Sequence, residues 1–265
     1  MKARKRRISF AVLNLLGYFG TVVVNALANS LPINERTTGE LSDMYPNLFV
    51  PAGLTFSIWG IIYVLLGLFT VYGLISAIRK DPEKSEFIDR VGILFFAASA
   101  ANIGWIFLWH HMYVGFSLIA MVVLLVALLG IYIRLGIGKR RMRRLVTAFA
   151  AIPFSVYLGW ITIATVANVT ALLVDVGWQG WGFPQAVWTI IVLAVAFFIA
   201  LLVLLTRGDL YYALVVEWAF LGILIKRVRV DAELRMGLIL ALGIFMGLLF
   251  LVMVVQGFRR RLYVP

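Results

Sequence analysis

The chain has no cysteine, two histidines and few charges: Asp, Glu, Lys and Arg make up 14% of its 265 residues. Without cysteine there are no disulfides, thiolate metal sites or cysteine nucleophiles. His110 and His111 are adjacent, so on a helix their rings point different ways and share no metal. No segment alternates apolar and polar residues at a strand period, which argues against a membrane barrel. No Gly-rich phosphate loop, HExxH or nucleophile elbow occurs, and no acid–base pair stands out. The chain therefore reads as a protein that binds rather than catalyses, with no cofactor and no metal.

What is present is apolar. Hydrophobic residues make up 63% of the chain and the mean hydropathy is +1.00, whereas soluble domains sit near half apolar and a quarter charged. The fold class is therefore an all-α integral membrane protein. A hydrocarbon core of ~30 Å needs about 20 apolar residues per helix. Eight segments are predicted to cross: Ile8–Leu31, Val50–Ile78, Val91–Trp109, Tyr113–Leu135, Leu145–Val174, Phe183–Thr206, Leu210–Ile225 and Met236–Phe258. The seventh is short, roughly 24 Å at 1.5 Å per residue.

The net charge of +12 would suggest nucleic acid in a soluble protein. Here no soluble domain presents a basic face, so no nucleic-acid partner is expected, and the charges are read as determinants of orientation. With the N-terminus inside, 19 of the 24 Lys and Arg fall at inside ends. They include Lys2–Arg7, Arg79, Lys80, Lys84, Arg90, Arg134, the run Lys139–Arg144, Arg207 and Arg259–Arg261. Such residues also meet anionic lipid. The exception is the loop Lys226–Arg235, basic on the outer side and partly offset by Asp231 and Glu233. The expected location is a prokaryotic cell membrane, with a cytoplasmic N-terminus. The opening "MKARKRR", an apolar stretch and "ALA" at Ala26–Ala28 imitate a signal peptide. The stretch is long for one, and a first helix can start insertion uncleaved.

Three segments carry an aromatic stripe. Phe56, Trp59 and Tyr63 are spaced three and four apart, behind Pro51 in a first turn where a missing N–H costs nothing. Asn102, Trp105 and Trp109 repeat that spacing, as do Tyr157, Trp160, Ala164 and Asn168. Trp109, near a helix end, suits an interfacial belt as well as a pocket. Asn102 and Asn168 must find partners inside the bundle; they are either helix-to-helix glue or the polar groups of an apolar cavity. The external loops are Pro32–Asn47, a candidate lid, and Asp175–Pro184, which holds Trp178 and Trp181 and suits interfacial anchoring or the lid. Glu217 is the one acidic residue at mid-segment, a candidate for ion coupling or for pairing with a basic residue.

"PAGLTFSIWGIIY", "NIGWIFLW" and "YLGWITIATVAN", in order on successive helices, resemble the TspO/MBR family of tryptophan-rich sensory proteins, which includes the translocator or peripheral benzodiazepine receptor proteins. The resemblance rests on Pro51, Gly53, Phe56, Trp59, Tyr63, Asn102, Trp105, Tyr157, Trp160, Ala164 and Asn168, and covers residues 8–174. Ala52 and Leu54 stand where the family often has proline and tryptophan, and one residue is missing between Phe56 and Trp59. The absent tryptophan argues against tetrapyrrole chemistry that needs it. The resemblance implies a TspO-like five-helix bundle (1–174), followed here by three additional membrane helices (175–265). It also implies a pocket under the first external loop, lined by those residues, for a planar hydrophobic small molecule: a porphyrin or haem-like tetrapyrrole, a sterol or a lipid. The chain would act as sensor or carrier. Two alternatives stand beside this. One is a proton-coupled secondary transporter using Glu217. The other is a scaffold or regulatory protein whose last three helices form a partner surface, a homodimer included.

Overall fold

The computed structural model describes residues 2–31, 33–79, 85–231 and 236–259. Pro32 and the charges assigned above to Lys80, Lys84, Glu233, Arg235, Arg260 and Arg261, with the Asp231 side chain, lie outside the described residues. Among the described residues eight long helices form: α1 (Lys2–Ser30), α3 (Ile58–Ile78), α5 (Leu94–His110), α6 (Val114–Leu135), α8 (Ile152–Asp175), α9 (Gln185–Arg207), α10 (Leu210–Asp231) and α11 (Met236–Phe258). Short α2 (Thr38–Asp43), α4 (Glu86–Val91) and α7 (Arg144–Val146) lie between them. Among the described residues there is no strand. Among the described residues, six helices are long and apolar enough to cross a membrane, α7 and α8 forming one continuous span, Arg144–Asp175. α5 is apolar but shorter, with 17 residues.

Lipid supplies no hydrophobic drive between helices, so close packing and hydrogen bonds must hold them. α1 shows how the sequence meets this. Its buried face is Ala11, Asn14, Gly17, Thr21, Asn25 and Ala28, small or polar residues three or four apart. A Cβ on Gly17 would come within 2.9 Å of Ser99 Oγ, so glycine sets how closely α1 approaches α5. α8 is the central helix, with 78% of its apolar window buried and with α3, α6 and α10 packed on it. It follows a π-helical turn at Thr147–Ala151. Pro153 stands just beyond and has no N–H to donate to that turn.

One end of the bundle is basic. Arg7 Nε donates to Asp89 at 2.6 Å, Arg4 to the Ile78 carbonyl at 3.1 Å and Arg207 to the Ile137 carbonyl at 3.0 Å. The start of α1 and the ends of α3, α6 and α9 thus meet there, as alternating helix directions require. Two expectations change. The seventh segment does not stop at Ile225, because α10 continues to Asp231. Lys226, basic at the opposite end, is paired with Asp43 of α2 at 2.5 Å. The boundary drawn at Val174 falls within the last turn of α8, and α10 packs back on α8, with Gly159 against Tyr212 and Val215.

Candidate ligand-binding site

The site begins with the turn ahead of α3. Ala52 N–H donates to the Gly222 carbonyl of α10 at 3.0 Å, and Gly53–Ser57 forms a 3₁₀ turn. A 3₁₀ helix has three residues per turn, so Phe56 and Trp59 fall on one side. Trp160 of α8 meets both rings edge to face, at 6.0 Å from Phe56 and 6.2 Å from Trp59. From α5, Trp105 stacks on Trp109 at 6.0 Å, and the Trp105 indole donates to Asn168 Oδ1 at 3.1 Å.

The loop above is folded. Thr37 caps α2 and Glu40 bonds back to the Thr37 N–H at 2.7 Å, a capping box that satisfies two free donors of the first turn. That backbone bond, with the Thr37 hydroxyl, holds the Glu40 carboxyl below its ordinary range. Trp109 Nε1 donates to the Thr38 carbonyl at 3.4 Å and Asn34 Nδ2 to the His110 carbonyl at 3.0 Å. Both tie the lid to the end of α5. Phe49 is fixed by an N–H bond to the Asn47 side chain at 3.0 Å.

Beneath this lid lies a cavity with about 50 Å³ of free volume. Among the residues expected to bind ligand, Pro51, Phe56, Trp59, Trp105, Trp160, Ala164 and Asn168 line it. Gly53, Tyr63, Asn102 and Tyr157 do not. Gly53 heads the turn and faces open space. Tyr63 lies one turn deeper than Trp59 and stacks on it at 5.5 Å. Asn102 is fully buried, accepting from Asn25 at 2.7 Å and donating to the Tyr157 hydroxyl at 3.2 Å. This asparagine joins α1, α5 and α8. Asn168 does both jobs: it lines the cavity and bonds Trp105 and Ser117.

Sequence reasoning missed Thr38 and Ser42 of the lid, Phe49, and Ala219 and Ile223 of α10. Ile163 and Ala167 were legible as continuations of the Trp160–Ala164 stripe; Ala219 and Ile223 carried no signal. Leu54 is 68% exposed and lies outside the cavity. Trp178 and Trp181 do not line this cavity but cluster with Trp188, at 4.9 and 5.4 Å from it. His110 is buried while His111 is exposed, and their rings diverge as expected. A second acidic residue went unnoticed: Asp209, fully buried between α9 and α10, accepts from Tyr132 and Ser155.

Two polar atoms of the lining, Trp160 Nε1 and Thr38 Oγ1, are buried without a hydrogen-bond partner. An orphaned donor costs about 1–3 kcal/mol, a cost that a ligand with an acceptor would relieve. The arrangement can hold an apolar, planar molecule by ring contacts and fix it through a few neutral polar groups. It offers no nucleophile with a base beside it.

A family model described as TSPO-like protein matches residues 11–255, a span that reaches into α11. No curated protein and no solved structure matches the chain. The match takes in the aromatic pocket and the α10 wall alike, and the chain belongs to the TSPO-like protein family of membrane proteins that bind hydrophobic small molecules.

Proposed function

We propose that the protein is a membrane sensor or carrier that takes a planar hydrophobic ligand, a tetrapyrrole, sterol or lipid, into the pocket under α2. It acts without covalent chemistry, and its basic end faces the cytoplasm. The observation that carries this reading is the lining: four tryptophans and two phenylalanines around Asn168, with an unpartnered indole N–H on Trp160. Aromatic faces and edges favour planar partners. The free volume, about 50 Å³, is far below the ~300 Å³ at which small-molecule sites begin. Binding therefore has to displace the lid, and that displacement is what a sensor would transmit. The test is titration of purified protein with protoporphyrin and, separately, a sterol, following tryptophan quenching in wild type and Trp160→Phe. Saturable quenching weakened in the variant supports the reading. No saturable quenching by either compound, with the protein folded, removes both ligand classes.

A second reading rests on Glu217. Its Oε1 is buried without a hydrogen bond, on α10, the helix whose Ala219 and Ile223 line the pocket. A carboxyl so placed can couple proton movement to ligand passage. Glu217→Gln should then abolish pH-dependent flux in proteoliposomes and leave ligand binding intact; undiminished flux rejects this reading.

A further inference from the structure

A second, roomier cavity of about 320 Å³ lies beside the inner pocket. Thr170 and Leu173 of α8, Trp188 and Thr189 of α9, and Asn47 and Phe49 form its walls. Among the described residues, Phe49 is the single residue that lines both cavities. It is 1% exposed, so it sits between the two rather than on the surface. On α8 the two sites occupy successive turns: Ala167 and Asn168 face the inner one, Thr170 and Leu173 the outer.

The outer lining selects a chemistry. Its polar residues among those described, Asn47, Thr170, Gln179, Gln185 and Thr189, are all neutral, so an ionised ligand would lose hydration without gaining a counter-charge. The Trp188 indole N–H is committed to the Gly180 carbonyl at 2.8 Å. This leaves its ring face as the binding element. Trp178 meets that ring at 4.9 Å. The loop holding these rings is strained: Trp181 has φ +50, between Gly180 at +63 and Gly182 at +81. A left-handed tryptophan costs roughly 1–2 kcal/mol; Trp181 is 78% exposed, with its ring against Trp178 and Trp188 at 5.7 and 5.4 Å. The outer volume falls within the ordinary range for small molecules, ~300–1,000 Å³.

We propose that the outer cavity is a second binding site, for an uncharged planar aromatic amphiphile, and that such a ligand reaches the inner pocket past Phe49. The passage rests on the inner-pocket reading above; the outer site does not. The probe is 1-pyrenemethanol, neutral and planar, added to the full-length protein in detergent. Native mass spectrometry counts bound copies, and stopped-flow tryptophan emission gives rates. Wild type should hold one copy in each cavity. Ala164→Phe, which fills the inner pocket, should keep the outer copy. Thr189→Phe, which fills the outer cavity, should keep the inner copy and slow its arrival about tenfold. Gln185→Trp repeats the outer block from the rim if Thr189→Phe does not fold, and Phe49→Ala should speed inner filling. Binding lost in Ala164→Phe but unchanged in both outer variants overturns the outer site and leaves the inner reading standing. A single wild-type copy that survives Ala164→Phe and is lost in Thr189→Phe upholds the outer site and overturns the inner reading. Equal inner rates in wild type, Thr189→Phe and Phe49→Ala overturn the passage.

Discussion

Gly222 of α10 gives its carbonyl to the Ala52 N–H at 3.0 Å, and its missing side chain is what allows Thr55 to lie against it. One turn earlier, the Trp218 indole donates to the Thr55 carbonyl at 2.9 Å. Together these two contacts fasten α10 to the turn that opens α3 and set Ala219 and Ile223 as the pocket's far wall.

Gly222→Ala should therefore destabilise the protein. A methyl group here collides with the Thr55 side chain. Overpacking of this kind costs about 1–3 kcal/mol, against up to ~1 kcal/mol gained from replacing a helical glycine. The expected net effect is a lower Tm in detergent together with weaker ligand binding. An unchanged Tm would mean that α10 is not seated on Thr55.

The two pocket-depth asparagines should separate. Asn102 bonds only to protein, through Asn25 and Tyr157, whereas Asn168 also lines the cavity. The Ser117 hydroxyl has one proton, best placed on the Val114 carbonyl at 2.8 Å, so it accepts from Asn168 Nδ2 at 3.1 Å. Alanine at either position should cost about 1–2 kcal/mol, the hydrogen-bond scale within membranes and cores. Only Asn168→Ala should also weaken binding, read as tryptophan quenching at a temperature where both variants are folded. Equal loss in both would put Asn102 at the ligand.

This pair shows where sequence reasoning stops. Composition and span length give eight apolar segments, and eight long helices form among the described residues, six of them long and apolar enough to cross a membrane. The stripe on α8 gave Trp160, Ala164 and Asn168 because helical spacing fixes a shared face. Neither rule separates Asn102 from Asn168, since both are amides on aromatic stripes; only their neighbours across the bundle differ. Hydropathy ended the seventh helix at Lys226. The helix runs on to Asp231, and that lysine is paired with Asp43, a contact between distant segments that no local pattern contains. Thr38, Ala219 and Ile223 entered the site for the same reason: their role is set by where the lid and α10 dock.

Asp209 should be the structural hinge-pin of the basic end. Its Oδ2 accepts from Ser155 Oγ at 2.7 Å and Tyr132 at 2.8 Å, and Oδ1 accepts from the Tyr212 N–H at 3.1 Å. These bonds join α6, α8 and α10. Asp209→Asn turns an amide NH₂ toward groups that themselves donate, and should cost about 1–3 kcal/mol, the scale of leaving buried polar groups unmatched. Ser155→Ala should cost about half as much. Denaturant unfolding in mixed micelles reads both. A neutral Asp209→Asn would show that the carboxylate is not what joins these helices.

Acidification should loosen the lid. Glu40 closes the capping box by accepting from the Thr37 N–H and hydroxyl, at 2.7 and 2.9 Å, and these bonds lower its folded-state affinity for a proton. The sign follows. A depressed carboxyl contributes order that is complete above its ordinary pKa, about 4.3 for glutamate, and lost as pH falls through the lower folded value. Because the chain lacks cysteine, a nitroxide on Met44→Cys, at an exposed position after α2, labels the lid alone. Its spectrum should stay immobile from neutral pH down to the ordinary carboxylate range and become mobile below it. Glu40→Gln can still accept the Thr37 bonds but cannot titrate, so it should show no transition in that window. A transition that survives in that variant would show that the lid's acid response does not come from the capping box.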